Sequence, residues 1–114
     1  MDSTTAPSPA VTLSYQEQEA TAEGVFVYRL MAGGEMPSLP FRSAVFTVAP
    51  GCCSPEDKHK VSEIWIVTEG SGELRHQGRA LRLETGHAVF FAPWETHQVR
   101  NDGPQTFKAL AFWW

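Results

Sequence analysis

Three shortages in this chain each close off a class of function. Basic charge is scarce: 9 Lys and Arg stand against 13 Asp and Glu, for a net charge of −4. Such a chain has no electrostatic footprint for a phosphate backbone, so nucleic acid is excluded as an expected partner. Long apolar runs are missing, and nothing approaches the roughly 20 residues needed to span a bilayer as a helix. The opening Met1-Asp2-Ser3-Thr4-Thr5-Ala6 also lacks the basic start and apolar stretch of a secretory signal. The expectation is a cytoplasmic protein with no membrane partner. Cysteine is limited to Cys52 and Cys53. A bond between neighbours would close a strained small ring, which excludes a disulfide framework and leaves two reduced thiols in a turn. A thiolate reaching a nearby metal is the minor option.

What is present fits one small domain. A chain of 114 residues can build one core but not two, and a 42% hydrophobic share with 7 Phe and 4 Trp can fill a barrel and line a pocket. Residues 1–14, rich in Ser, Thr, Pro and Ala, read as a loose segment, and residues 15–114 as the folded domain. Ser14-Tyr15-Gln16-Glu17 predicts a cap for a short helix running to Ala22, the alternative being a plain polar connection. From Val25 onward the pattern is short strands between turn signals: Val25–Met31, Ser43–Val48, Ile64–Val67, Glu73–His76, Arg79–Leu83, Ala88–Phe91, Gln98–Asn101 and Phe107–Trp114. Ile64–Val67 is apolar throughout, as a strand packed on both faces would be. Gln77-Gly78 predicts a tight hairpin, and Pro50-Gly51 a turn. The fold class is all-β, a sandwich or barrel.

Within this frame one set of side chains carries chemistry. Asp57 and His59 fall on one face of an extended chain, and Glu63 keeps that parity. His97 needs only to arrive on a neighbouring strand. Two imidazoles and two carboxylates on one inner wall would hold a divalent transition metal. Each has a plainer role available: Asp57 could cap a turn or pair with Lys58 or Lys60, and His97 could be a hydrogen-bonded core histidine. Glu63 runs into Ile64-Trp65-Ile66, so inward parity buries a carboxylate, and a metal would compensate it. Trp65 shares the parity of Glu63, while Phe91 and Val99 could share the wall of His97. These three, with Arg42 on an earlier strand, are the expected lining of a substrate pocket, although which of Arg42 and Ser43 turns inward is open. His76 at a hairpin end is expected in solvent and His87 in a turn, and neither is expected to bind metal.

The spacing of Gly51, Asp57, His59, Glu63 and Gly70, followed by Gly78, Gly86, Pro93, His97 and Asn101, resembles the two motifs of the cupin superfamily over roughly residues 40–112. Two departures stand out: Asp57 replaces the first motif's leading histidine, and Glu84 stands where the family has proline. The resemblance implies the cupin double-stranded β-helix, a jelly-roll barrel. Five stretches are further similar to the zinc-binding cupin domains of hydrazine synthetases: Asp57-Lys58-His59, Glu63 to Val67, Phe90 to Trp94, His97 to Gly103, and Trp113-Trp114. That likeness implies zinc on Asp57, His59, Glu63 and His97. It also implies a fused or partner synthetase domain, and formation of an N–N bond by redox-neutral rearrangement of an amino-acid ester of N-hydroxylated lysine. Glu63 or Asp57 would be the catalytic base. Exchanging an imidazole for Asp57 makes the site more anionic, which favours Zn2+ over Fe2+, while Mn2+ and Ni2+ remain alternatives. Other readings of the same scaffold are an iron-dependent dioxygenase, a metal-dependent isomerase or lyase acting on a small polar acid, and a non-catalytic binding barrel. An exposed Val25–Met31 edge would invite a homodimer.

Overall fold

Turns that need left-handed backbone set the spacing of the strands. At the expected hairpin, His76 pairs with Arg79, and Gln77 and Gly78 take φ of 52° and 76°. Both central residues positive is the type I′ geometry, whose twist matches that of the flanking strands. Gly70 (φ 73°) has a second constraint, because a Cβ there would lie 2.5 Å from the carbonyl oxygen of Thr106.

The computed structural model describes residues 10–114, and among them all regular structure is β. Nine strands follow in order: β1 (Leu13–Ala22), β2 (Val25–Ala32), β3 (Arg42–Val48), β4 (Glu63–Glu69), β5 (Ser71–His76), β6 (Arg79–Glu84), β7 (Ala88–Phe91), β8 (His97–Arg100) and β9 (Phe107–Trp113). They form a six-stranded sheet, β1-β2-β3-β9-β4-β7, and a three-stranded sheet, β6-β5-β8, antiparallel throughout. The inner faces alternate with period two, so Phe46, Val48, Trp65, Val67, Leu74, Leu83, Val99, Phe107 and Ala109 meet in one core. No helix among the described residues is long and apolar enough to cross a membrane.

The expected helix from Ser14 to Ala22 is a strand. Its glutamines, glutamates and alanines favour helix locally, but no apolar stripe at helical spacing is present to bury. The hairpin at Glu23-Gly24 instead folds the segment back onto β2, with irregular pairing between Glu17 and Glu19 and between Ala20 and Ala22. Two consequences follow. The boundary expected at residue 14 moves, since Leu13 and Ser14 already belong to β1; residues 1–9 of the expected loose segment lie outside the described residues. β2 is not an edge, because β1 covers it, so a dimer through an exposed Val25–Met31 edge has no edge to use. β4 also differs from expectation: Trp65 and Val67 are buried, but Ile64 and Ile66 on the other face are half-exposed.

Asn101 fastens the two halves together. It is fully buried, its amide donates to the carbonyls of Val48 (2.8 Å) and Gln105 (2.7 Å), and its side-chain oxygen accepts the Gly103 N–H at 3.0 Å. Its backbone exchanges bonds with Gly51 and Cys52. Beyond it the loop after β3 runs beside β8, with isolated pairings of Cys53 to Arg100 and Asp57 to His97. Ser54 adds to the zipper by accepting the Val99 N–H on its hydroxyl at 2.9 Å. A segment near residue 57 is thereby laid against residue 97.

Candidate metal centre

Pairing between the loop and β8 brings the separated parts of the site together. Asp57 and His97 exchange two backbone hydrogen bonds, of 3.0 and 2.9 Å. β4 lies on the facing sheet and directs Glu63 inward. His59 is held on the intervening loop, where its carbonyl accepts the Trp94 N–H at 2.6 Å. One ligand atom each from His59, Glu63 and His97 lies within 4.8 Å of the others.

The arrangement is short of positive charge. Glu63 Oε2 accepts the indole N–H of Trp65 at 3.1 Å. Its Oε1 is buried and receives no well-aligned hydrogen bond, although His97 Nε2 is 3.1 Å away and His59 Nε2 is 3.9 Å away. His97 Nδ1 sits 3.1 Å from the carbonyl of Glu95, a contact that places the ring proton on Nδ1 and leaves a lone pair on Nε2. With the ring neutral, two lone pairs face one another in a buried pocket, which is costly unless a proton or a metal cation lies between them. Around an ion bound at about 2.1 Å, ligand atoms stand roughly 3.0–3.4 Å apart. His97 and Glu63 already stand at such a separation, 3.1 Å, while His59 at 3.9 Å from Glu63 would close in by a fraction of an ångström. The donor set fits a divalent metal, and His59, Glu63 and His97 would hold it.

Protonation reads the same demand. Burial pulls the His97 pKa down, but Glu63, the Glu95 carbonyl and Asp57 together outweigh it and raise it above the ordinary 6.5. Burial raises the Asp57 carboxyl above its usual 3.8, opposed by His59 and His97 and reinforced by Glu63. Behind His97 the turn is locked by Glu95, whose carboxylate accepts the Ala92 N–H at 2.7 Å and meets His76 Nε2 at 3.0 Å. Phe91 stacks on the His97 ring at a centroid distance of 4.2 Å. Such partners fix the tautomer and angle of a ligating imidazole.

A cavity of about 650 Å³ opens onto these groups. Asp57 lines it but stands outside the cluster of three donors. Trp65 lines it. Phe91 and Val99 do not: both are buried in the core, Phe91 behind the His97 ring. Arg42 is exposed at the start of β3 and also lies away from the cavity, while Ser43 is buried and commits its hydroxyl to the Ala111 carbonyl and Tyr15. Neither cysteine joins the donors; Cys52 packs against the core and Cys53 is exposed. His76 is half-buried against Glu95 rather than solvated, and His87 accepts the Glu84 N–H in its turn.

Among the lining residues that were not expected, Arg29 and Trp94 carry the most chemistry. Trp94 holds a φ of 69° with its side chain 60% exposed beside the ligands, an unfavourable backbone for a bulky residue and a frequent mark of a working site. A tryptophan directly after Pro93, in a loop leading to a ligand histidine, was the available signal.

With the barrel and its donors in view, the comparisons are consistent. The model of the cupin domain matches residues 44–113. The chain belongs to the cupin family. Among solved structures it is similar to a cupin 2 conserved barrel domain protein from Salinispora arenicola, at 28% identity and TM-score 0.73, covering 98% of this chain and 90% of that one. A second cupin 2 conserved barrel domain protein, from Rhodopseudomonas palustris, is 22% identical with TM-score 0.72, covering 89% and 70%. A protein from Thermotoga maritima described as a predicted oxalate decarboxylase is 19% identical with TM-score 0.72, covering 92% and 97%. At such identities the last two speak for the fold alone.

Proposed function

We propose that this cupin is a metal-dependent enzyme acting on a small amino-acid-derived substrate, with Zn2+ on His59, Glu63 and His97. The observation that carries this reading is the buried Glu63 Oε1, left without a donor and facing two imidazole nitrogens. A bound divalent ion would supply Lewis acidity and a template for a chelating substrate. The apolar walls around Trp65 and Trp113 would exclude water, and Trp94 would bear on the part of the substrate nearest the mouth.

In its finer form the reaction is the redox-neutral rearrangement implied by the likeness to hydrazine synthetase cupins. The free amine of the ester forms an N–N bond to the hydroxylamine nitrogen as the N–O bond breaks. The N–O electron pair leaves on the carboxylate, and the amine proton passes to a carboxylate of the site. Asp57 suits that role, because it borders the cavity without belonging to the three-donor cluster. Holding amine and N–O bond in line would supply most of the rate.

The test is metal content of the purified chain, followed by anaerobic incubation with a synthetic amino-acid ester of N-hydroxylated lysine. About one zinc per chain and an isomeric hydrazine product are expected. Asp57→Asn should keep its zinc while the rate falls at least about 100-fold. Iron with an oxygen requirement would overturn the reading in favour of a dioxygenase.

A further inference from the structure

The protein is acidic overall, at −4, yet the cavity is not. Among the described residues, Arg29, Lys58 and Lys60 line it against two carboxylates, Asp57 and Glu63. Any metal held by the donors would tilt this balance further towards positive. A pocket of that sign in a chain of the opposite sign selects an anionic ligand.

Strand register says where the anion's charge would sit. Arg29 on β2 pairs with Ala44 on β3, Ala44 with Ala111 on β9, and Ala111 with Trp65 on β4. The four side chains form one rung across the inner face of the large sheet, all bordering the cavity. At one end stands the arginine, and at the other the indole whose N–H holds Glu63. The two middle positions are alanines, 4% and 3% exposed, which leave a shallow trench between the ends. Three strand spacings separate Arg29 from Trp65, roughly 14 Å along the sheet. The ion pair of Arg29 with Glu19 is long, 3.8 Å, with both side chains about half exposed. An exposed pair of this length is worth little and yields readily to a better partner.

We infer that Arg29 anchors a carboxylate of the substrate at the far end of an alanine-floored trench, so that the site takes extended acids with a chelating head at the metal donors and a second carboxylate several atoms away. The guanidinium offers the planar fork that matches a carboxylate in two parallel hydrogen bonds. Arg29 is a positioning residue, since it is remote from the donor cluster and would act by holding the substrate's tail. The inference rests on the cavity being the substrate site of the proposed enzyme.

The experiment titrates the intact chain, zinc-loaded and zinc-free, with malonate, pimelate and hexanoate by calorimetry. Pimelate can reach from the donors towards Arg29, hexanoate lacks the second carboxylate, and malonate is too short. In the zinc-loaded wild type, pimelate should bind at least about tenfold tighter than hexanoate, a typical gain for a charge-assisted pair. Arg29→Gln should abolish that preference while leaving zinc content and malonate affinity unchanged, and Arg29→Lys should restore part of it. A preference for pimelate that survives in Arg29→Gln, or the absence of any preference in the wild type, overturns the assignment. Should the chain hold no zinc, the metal reading fails. An Arg29-dependent preference for diacid over monoacid in the zinc-free chain would still support the anchor, and its absence there would overturn the anchor as well.

Discussion

Asn101 and Glu63 are both buried polar side chains on inner walls of the same barrel, and they differ in one respect. Every polar group of Asn101 has a protein partner, from Val48, Gln105 and Gly103. Glu63 has Trp65 on one oxygen and nothing properly aligned on the other. Saturation marks a group whose work is finished inside the protein, here the joining of the two motif halves. An unsaturated buried oxygen marks a group whose partner comes from outside. The two sites therefore predict opposite responses to substitution.

The largest effect is expected at the unsaturated site. Glu63→Gln should lower zinc affinity by more than about 100-fold, above the usual loss for an outer partner, because a neutral amide replaces an anionic ligand. At a pH above the raised His97 value, where the ring is neutral, metal-free melting should not fall, since the amide can donate to His97 Nε2 and relieve the facing lone pairs. Zinc titration with thermal melting of both forms checks this; a large fall in metal-free stability would erase the contrast. Next comes Asn101→Ala, which strands two carbonyls and an N–H. It should cost about 2–4 kcal/mol, a drop in Tm of roughly 10–20 °C, while the folded fraction keeps its zinc stoichiometry. Loss of stoichiometric zinc at a temperature where the variant is folded would show that Asn101 also shapes the site.

The smallest effect sharpens the comparison through pH. In the metal-free chain the His97 pKa lies above its ordinary 6.5. The stabilisation from its pair with Glu63 is therefore fully present below 6.5 and is lost as pH rises through the raised value. Zinc competes with that proton, so zinc affinity should rise over the same interval. Melting curves across this range, with and without zinc, should diverge as pH increases; parallel curves would detach His97 from the metal.

How much of this was legible in the chain follows the same division. Residues placed by local rules could be read: Glu63 by the alternation it shares with Trp65 and Val67 along β4, Gln77-Gly78 by turn chemistry, and the all-β class by the rhythm of short strands. Residues placed by remote pairing could not. Arg29 borders the cavity because β2, β3, β9 and β4 share one register, a relation no single segment carries. Arg42 was expected in the pocket, but the sheet ends beside it. Phe91 and Val99 have the right parity yet are sealed behind the donors rather than set against the cavity. β1 was read as a helix from the capping pattern at Ser14 to Glu17, and pairing with the neighbouring strand decided otherwise. His76 was expected in solvent because its partner Glu95 is remote in sequence and near only in the fold.

The hydrogen bond from the Trp65 indole to Glu63 also gives the molecule its own optical signal. Indole emission responds to the charge its N–H faces, and this N–H faces the same carboxylate on which proton and metal would compete. Trp65 is 4% exposed and shielded from bulk solvent, so its emission would follow the state of one carboxylate rather than the medium. Occupancy of the centre is thus open to measurement by fluorescence without a label, in a variant that keeps Trp65 as its one tryptophan.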